Sequence, residues 1–272
     1  MTIRRIRAIM ILVLVGLLAI PTITQSDLLP DTPYVNDGTM RRIYTPILMY
    51  HYISELPADA DDIRVGLTVT PQQFYEHINY LNVTNHHTIT MSDLDEALRY
   101  GTSLPENPII LTFDDGHIDH YVTAVPILNQ FGLTGTFFVI TSFADNNRAD
   151  YMSWEQIEDL HNQGMEIEPH TKNHADLSNR DFDFLVYEVM GSVESIEQHI
   201  GAKSTTLAYP IGRYDQTTLS FMETTPLLRS VTTMPGAYHT SDNYYEMTRL
   251  RITPETGVPG LAQLLNFTRA QR

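Results

Sequence analysis

From about residue 46 onward, short apolar runs alternate with longer stretches of helical periodicity. Ile47-Leu48-Met49-Tyr50 predicts a strand. Thr70-Pro71 opens a helix, with Thr70 as the cap and Pro71 at the first helical position. Phe74, Ile78 and Leu81 then supply one apolar face. The run Ile109-Ile110-Leu111-Thr112-Phe113 is short and ends in Asp-Asp-Gly, which reads as a buried strand. A helix over about 119–131 and a strand over 135–140 follow. Ser153 and Gln156 are spaced as a capping box, and Gly164 suits the position after that helix. A strand is expected over 165–168, and a long amphipathic helix over 181–200 closes at Gly201. A strand (205–209), a helix (216–223) and a strand (228–232) complete the pattern. Strands alternating with helices imply parallel β/α units. In such folds the reactive side chains sit at the C-terminal ends of strands. No sequence repeat and no second domain are visible.

The first residues follow another pattern. Arg4, Arg5 and Arg7 precede an unbroken apolar run from Ala8 to Ile20, followed by Pro21. A basic flank and an apolar core have the layout of an export signal. The run is roughly 13 residues, where about 20 typically span a bilayer. Pro21 and Ile23 interrupt any small-x-small cleavage site. A cleaved signal and a retained anchor both stay open, and a buried core helix is the competing structural reading. The basic flank keeps the N-terminus cytoplasmic and sends the rest outward. Residues 1–24 are therefore assigned to a signal peptide or membrane anchor, and 25–44, rich in Pro, Thr, Asp and Ser, to a linker. Residues 45–270 are assigned to the folded domain, which is expected to be extracytoplasmic.

Composition narrows the chemistry. The chain lacks cysteine, so disulfides and thiolate sites are excluded and any metal must use His, Asp or Glu. With 33 acidic and 17 basic residues the formal charge is −16, which disfavours nucleic acid and anionic membrane surfaces as partners. The acidity suits a cationic glycan, or simply solubility.

Two constellations carry candidate chemistry. Asp114-Asp115-Gly116 directly follows a buried strand. One carboxylate there can bind a metal while its neighbour acts as a base, and the glycine permits a sharp exit. A plain turn uses the same residue types. His170 and His174, at i and i+4 after another strand, are expected on one face of a helical turn, where they can chelate one metal. Two His and one Asp leave coordination positions open, as a catalytic metal needs.

The segments Thr112-Phe113-Asp114-Asp115-Gly116 and His170-Thr171-Lys172-Asn173-His174, in that order, resemble the first two motifs of the polysaccharide deacetylases, carbohydrate esterase family 4. Pro46-Ile47-Leu48-Met49-Tyr50-His51 is similar to the opening strand of the exopolysaccharide (poly-N-acetylglucosamine) branch. Pro126-Ile127-Leu128, Thr136-Phe137-Phe138-Val139 and Leu207-Ala208-Tyr209-Pro210-Ile211-Gly212 look like later family segments. The resemblance implies a distorted, incomplete (β/α) barrel of the α/β class. It implies a divalent metal, usually zinc, held by Asp115, His170 and His174, with Asp114 as general base. It also implies removal of N-acetyl groups from an N-acetylglucosamine polysaccharide, with Tyr209 and Pro210 near substrate. By the same analogy the backbone N–H of Ile211 stabilises the oxyanion, since Pro210 has none.

The sequence departs from the wider family in places. Ala208 stands where an Arg often orients the base, and Arg249 is the expected substitute, against a surface ion pair. The late Leu-x-x-His that supplies a general acid is absent, and His51, at the end of the first strand, is the expected replacement; a structural histidine is the alternative. His117 occupies a position where the family usually has an aromatic residue, and it is not expected to be a ligand. Trp154, the only tryptophan, is expected in core packing. The competing functional reading is a weakly catalytic glycan-binding or scaffold protein that retains the metal site. A small-amide hydrolase is disfavoured by the export signal.

Overall fold

The computed structural model describes residues 38–270, with side chains as far as residue 266. The segment assigned as signal or anchor and the linker as far as residue 37 lie outside the described residues. The linker's last residues, Arg42–Tyr44, form a strand that pairs antiparallel with Tyr238–Thr240.

Among the described residues, the central sheet has eight parallel strands, seven in a continuous path and an eighth, His87–Thr88, paired with the start of Pro108–Phe113. Ile47–Tyr50 pairs on one side with Pro108–Phe113 and on the other with Met247–Arg251. From Pro108–Phe113 the sheet continues through Thr136–Val139 to Glu166–Pro169. From Met247–Arg251 it continues through Arg229–Pro235 to Thr206–Ala208. No strand pairing joins Glu166–Pro169 to Thr206–Ala208, so the ring stays open at one seam. Side chains bridge that seam. The Glu168 carboxyl group accepts hydrogen bonds from the N–H groups of Thr205 (2.9 Å) and Thr206 (3.1 Å) and from the Thr205 hydroxyl (2.8 Å). This is the incomplete (β/α) barrel expected from the sequence.

Alternate residues along each strand face opposite sides of the sheet. Ile47, Ile110, Phe138, Ala208, Val231 and Met247, from six strands, meet inside the barrel. Met91, Leu94 and Leu98 of the helix Met91–Tyr100 join them and plug the end where the strands begin. Asp95 of that helix pairs with the buried Arg229 (3.2 Å) and with Arg99 (2.7 Å). Glu166 accepts from the Met91 N–H at the helix start (3.1 Å). The other parity, including Leu48, Tyr50, Leu111, Phe113, Phe137 and Val139, packs under the surrounding helices. Carried to the strand ends, the inward parity brings His51, Asp114, Ile140, His170, Thr233 and Arg251 to the opposite mouth.

The predicted cap at Thr70 and capping box at Ser153 are present, Gln73 making the Thr70 cap a capping box as well, and Gly201 closes its helix in the left-handed conformation. Two expected helices are less regular than their apolar periodicity. Each contains a π-turn, at His120–Ala124 and at Val186–Met190. Several elements were not expected. The helix Asp62–Leu67 buries no residue, so it leaves no apolar stripe to read. The strand Met247–Arg251 is disguised by two arginines, one of which, Arg249, is fully buried. The helices Met91–Tyr100 and Val258–Ala270 are also additions.

Gly135 shows how tightly the strands abut. A Cβ there would lie 2.7 Å from Cε2 of Phe113, whose ring stacks on Phe137 at 4.6 Å between centroids and cannot retreat. Gly135→Ala should cost about 1–3 kcal/mol by overpacking. The measurement is a lowered urea midpoint with an unchanged m-value.

Candidate active site

Asp114 follows the inward parity of its strand and is buried at the barrel mouth. Arg249, two strands away, grips it with both arms: Nη1 donates to Oδ1 and Nη2 to Oδ2, each at 2.7 Å. The guanidinium is itself fixed, donating from Nε to the Thr232 carbonyl (2.9 Å) and from Nη1 to the Thr112 hydroxyl (3.1 Å). Burial alone would raise the Asp114 carboxyl, but the Arg249 pair outweighs it and holds the group at about 2. The surface-pair alternative for Arg249 is thereby removed.

Asp115 leaves the strand differently. Its φ of 78° and that of Gly116, 76°, are consecutive left-handed conformations, uncommon for a non-glycine residue. The bend aims its carboxylate at the two histidines. Nε2 of His170 and Nε2 of His174 each lie 3.4 Å from Asp115 Oδ1. The three ligand-type atoms are all within 4.8 Å of one another. Oδ1 is buried and receives no hydrogen bond. The Nδ1 of His170 faces the Ala208 carbonyl across the open seam at 2.8 Å, which places the ring proton on Nδ1 and leaves Nε2 a lone pair. A buried, undonated carboxylate oxygen facing imidazole nitrogens fits a divalent cation.

The route to this geometry differs from expectation. Residues 170–174 are not a helical turn but an irregular loop bent at 172–173, with Thr171 at φ 62° and His174 at φ 58°. Glu188 holds the loop: its carbonyl accepts the Lys172 N–H and its carboxylate accepts the Asn173 N–H, both at 2.9 Å. The histidines converge because the loop folds back, not because of helical spacing.

The rest of the expected set divides. His51 is buried at the mouth, with Nε2 3.9 Å from Asp114 Oδ2. Burial lowers its imidazole to about 4, although both aspartates oppose this. Tyr209 is buried, lines the cleft, and stacks on Tyr214 at 4.5 Å. Pro210 is buried and is not among the cleft-lining residues, because it sits in a tight turn under Ile211. Ile211 lines the cleft at φ 58°, an unusual conformation for a β-branched residue. The turn's own hydrogen bonds run from Gly212 to Tyr209 and from Arg213 to Pro210 and do not use the Ile211 N–H. Trp154 is only partly in the core. Its ring stacks on His199 at 4.2 Å and Nε1 donates to Asp145 at 2.9 Å.

The cleft has a volume of about 680 Å³, and sequence reasoning missed much of its wall: Tyr52, Ile63, Leu67, Phe143, Tyr151 and Arg251. Arg251 was the one with a readable signal, since it stands two residues beyond Arg249 on the same strand and so shares its face.

The family model for polysaccharide deacetylases matches residues 101–228. YxkH of Bacillus subtilis (strain 168), which is named for the same family, is 30% identical over 217 residues, covering 80% of this chain and 74% of that protein. The solved structure of the Streptococcus pyogenes deacetylase PplD, in complex with acetate, superposes with a TM-score of 0.76 at 27% identity, covering 83% of this chain and 99% of that one. The poly-β-1,6-N-acetyl-D-glucosamine N-deacetylase of Escherichia coli (strain K12) is 24% identical over 57% of this chain, but the match spans only 24% of that longer protein. The chain belongs to the polysaccharide deacetylase family.

Arg249→Gln tests the electrostatics of the site. In metal-free protein it should cost about 3–5 kcal/mol, because Asp114 is left buried without its cation. The folded carboxyl lies below its ordinary 3.8, so the contribution of the pair is complete above that pH and is lost as pH falls toward 2. The difference in unfolding free energy between wild type and variant should therefore shrink across that window in urea titrations.

Proposed function

We propose that the protein is a metal-dependent hydrolase that removes N-acetyl groups from an N-acetylglucosamine-containing polysaccharide. The observation that carries this reading is the convergence of Asp115, His170 and His174 in the cleft, directly beside an Arg-clamped Asp114. Asp115, His170 and His174 hold the metal, with zinc the choice that suits two imidazoles and one carboxylate. When bound, the ion supplies Lewis-acid chemistry, polarising the acetamide carbonyl and acidifying water.

The chain's own groups manage the protons. Asp114 is anionic at neutral pH and takes the proton of the attacking water. Arg249 keeps it charged and fixes its orientation, replacing the arginine absent at Ala208. His51 is the next group along, 3.9 Å from Asp114 Oδ2. Burial keeps its imidazole neutral, which leaves it able to receive the proton that Asp114 takes up. From His51 the proton passes to the departing amine, which leaves the glucosamine nitrogen free and acetate as the second product. The N–H of Ile211 is left available to stabilise the oxyanion by a backbone hydrogen bond. Tyr209 and the aromatic wall of Tyr52, Phe143 and Tyr151 offer flat faces to sugar rings.

Purified protein loaded with zinc should release acetate from acetylated glucosamine oligomers. Asp114→Asn should retain the metal and lose roughly 10²- to 10⁴-fold in turnover. His51→Ala should lower turnover without removing metal, and an unchanged rate would retire its role. Binding of oligomers with no acetate released, under any of several divalent metals, would favour the scaffold reading instead. For location, the basic and apolar N-terminal segment supports export, either secreted or held at the outer face of the membrane. Fractionation of the native host should find the protein outside the cytoplasm; a cytoplasmic pool alone would overturn this.

A further inference from the structure

We propose that His117 is a positioning residue for the metal centre, fixing Asp115 through the carboxylate oxygen that the metal does not take. This rests on the metal-centre reading above. The two oxygens of Asp115 face different partners. Oδ1 faces the Nε2 atoms of His170 and His174, whereas Oδ2 lies 3.3 Å from Nε2 of His117. An Nε2–H on His117 donates to Oδ2, which sets the plane of the carboxylate and leaves Oδ1 as the single free ligand atom. Among the described residues, His117 is the side chain whose hydrogen bond reaches Oδ2 of Asp115. Asp115 needs such a support, because its backbone has left the sheet in a left-handed conformation and no ladder holds it.

His117 is itself clamped. It is 3% exposed, and its ring stacks on Tyr52 with centroids 3.8 Å apart and packs against Tyr151 at 4.9 Å. The Arg64 guanidinium lies over the Tyr52 ring at 3.3 Å and donates to the Ser54 hydroxyl at 2.6 Å. The backbone is pinned as well. The N–H of Ile118 donates to the Asp150 carbonyl at 2.9 Å, and that of Met152 donates to the Gly116 carbonyl at 3.0 Å. Tyr52 and Tyr151 also line the cleft. The ring that orients the ligand is therefore held by the same side chains that form the cleft wall.

Two substitutions separate donor from ring. His117→Phe keeps an aromatic ring in the stack and has no donor. His117→Gln keeps an N–H donor of similar reach and has no ring. The measurement is zinc affinity of metal-free protein, by competition with a chromophoric chelator, alongside urea midpoints of the same samples. His117→Phe should bind zinc about 10- to 100-fold more weakly, with His117→Gln close to wild type. A role in packing alone predicts the reverse order, with the urea midpoint following the ring. The reverse order, equal loss in both variants, or no loss in either overturns the assignment. If the wild type binds no zinc, the metal centre itself fails and this inference fails with it. Binding by wild type with an unchanged His117→Phe removes only the role of His117.

Discussion

A ring of parallel strands can deliver only every second side chain inward, and only the last of these reaches the mouth. Most of the site obeys that constraint. His51, Asp114, His170 and Arg251 lie on the inward parity of four different strands. A metal centre needs more ligands than parity supplies, and the remaining ones must come from positions where the chain breaks out of the strand. Eight non-glycine residues among those described have positive φ. Four are asparagines, which tolerate that region. The other four are Asp115, Thr171, His174 and Ile211, all at or beside the site. Strain is thus concentrated where the geometry of the sheet cannot place a ligand.

Electrostatics decides which of two adjacent, chemically identical residues does what. Asp114 is enclosed by the barrel and saturated by Arg249, so it stays charged and oriented. Asp115 has His117 at one oxygen and, at the other, the Nε2 atoms of His170 and His174, each 3.4 Å away, which suits it to a cation. A buried guanidinium is costly unless paired, and Arg249 uses its donors on Asp114, Thr112 and Thr232. The open seam contributes too. With no strand ladder between Glu166–Pro169 and Thr206–Ala208, the Ala208 carbonyl lies within reach of Nδ1 of His170, which fixes the tautomer of a candidate metal ligand. The incompleteness of the barrel is part of how the site is oriented.

The candidate metal-binding residues were legible because they stand in two short motifs that follow strands and resemble those of the family, not because ligand types are scarce: the chain has 11 His and 33 acidic residues. The cleft wall was not legible. Tyr52, Phe143 and Tyr151 look like ordinary aromatic residues, and only the loops that return over the mouth make them neighbours. The helical reading of residues 170–174 failed for a related reason. Spacing of i and i+4 describes proximity only if the backbone is helical, and here Glu188, from a distant π-turn, holds the loop in another shape.

By itself, the sequence determined the alternation of strands and helices, the caps at Thr70 and Ser153 and the absence of thiolate chemistry, and the resemblance of its motifs singled out Asp115, His170 and His174 as the candidate metal-binding set. These depend on local periodicity, on composition and on short motifs. Tertiary structure decided between the two readings of Arg249 in favour of the clamp on Asp114, and it alone decided that a strand containing two arginines belongs in the barrel and that His117 faces the second oxygen of Asp115. The reason is physical. Arg249 and Asp114 are 135 positions apart in the chain, and their pairing is fixed by strand register and burial, which no local pattern encodes.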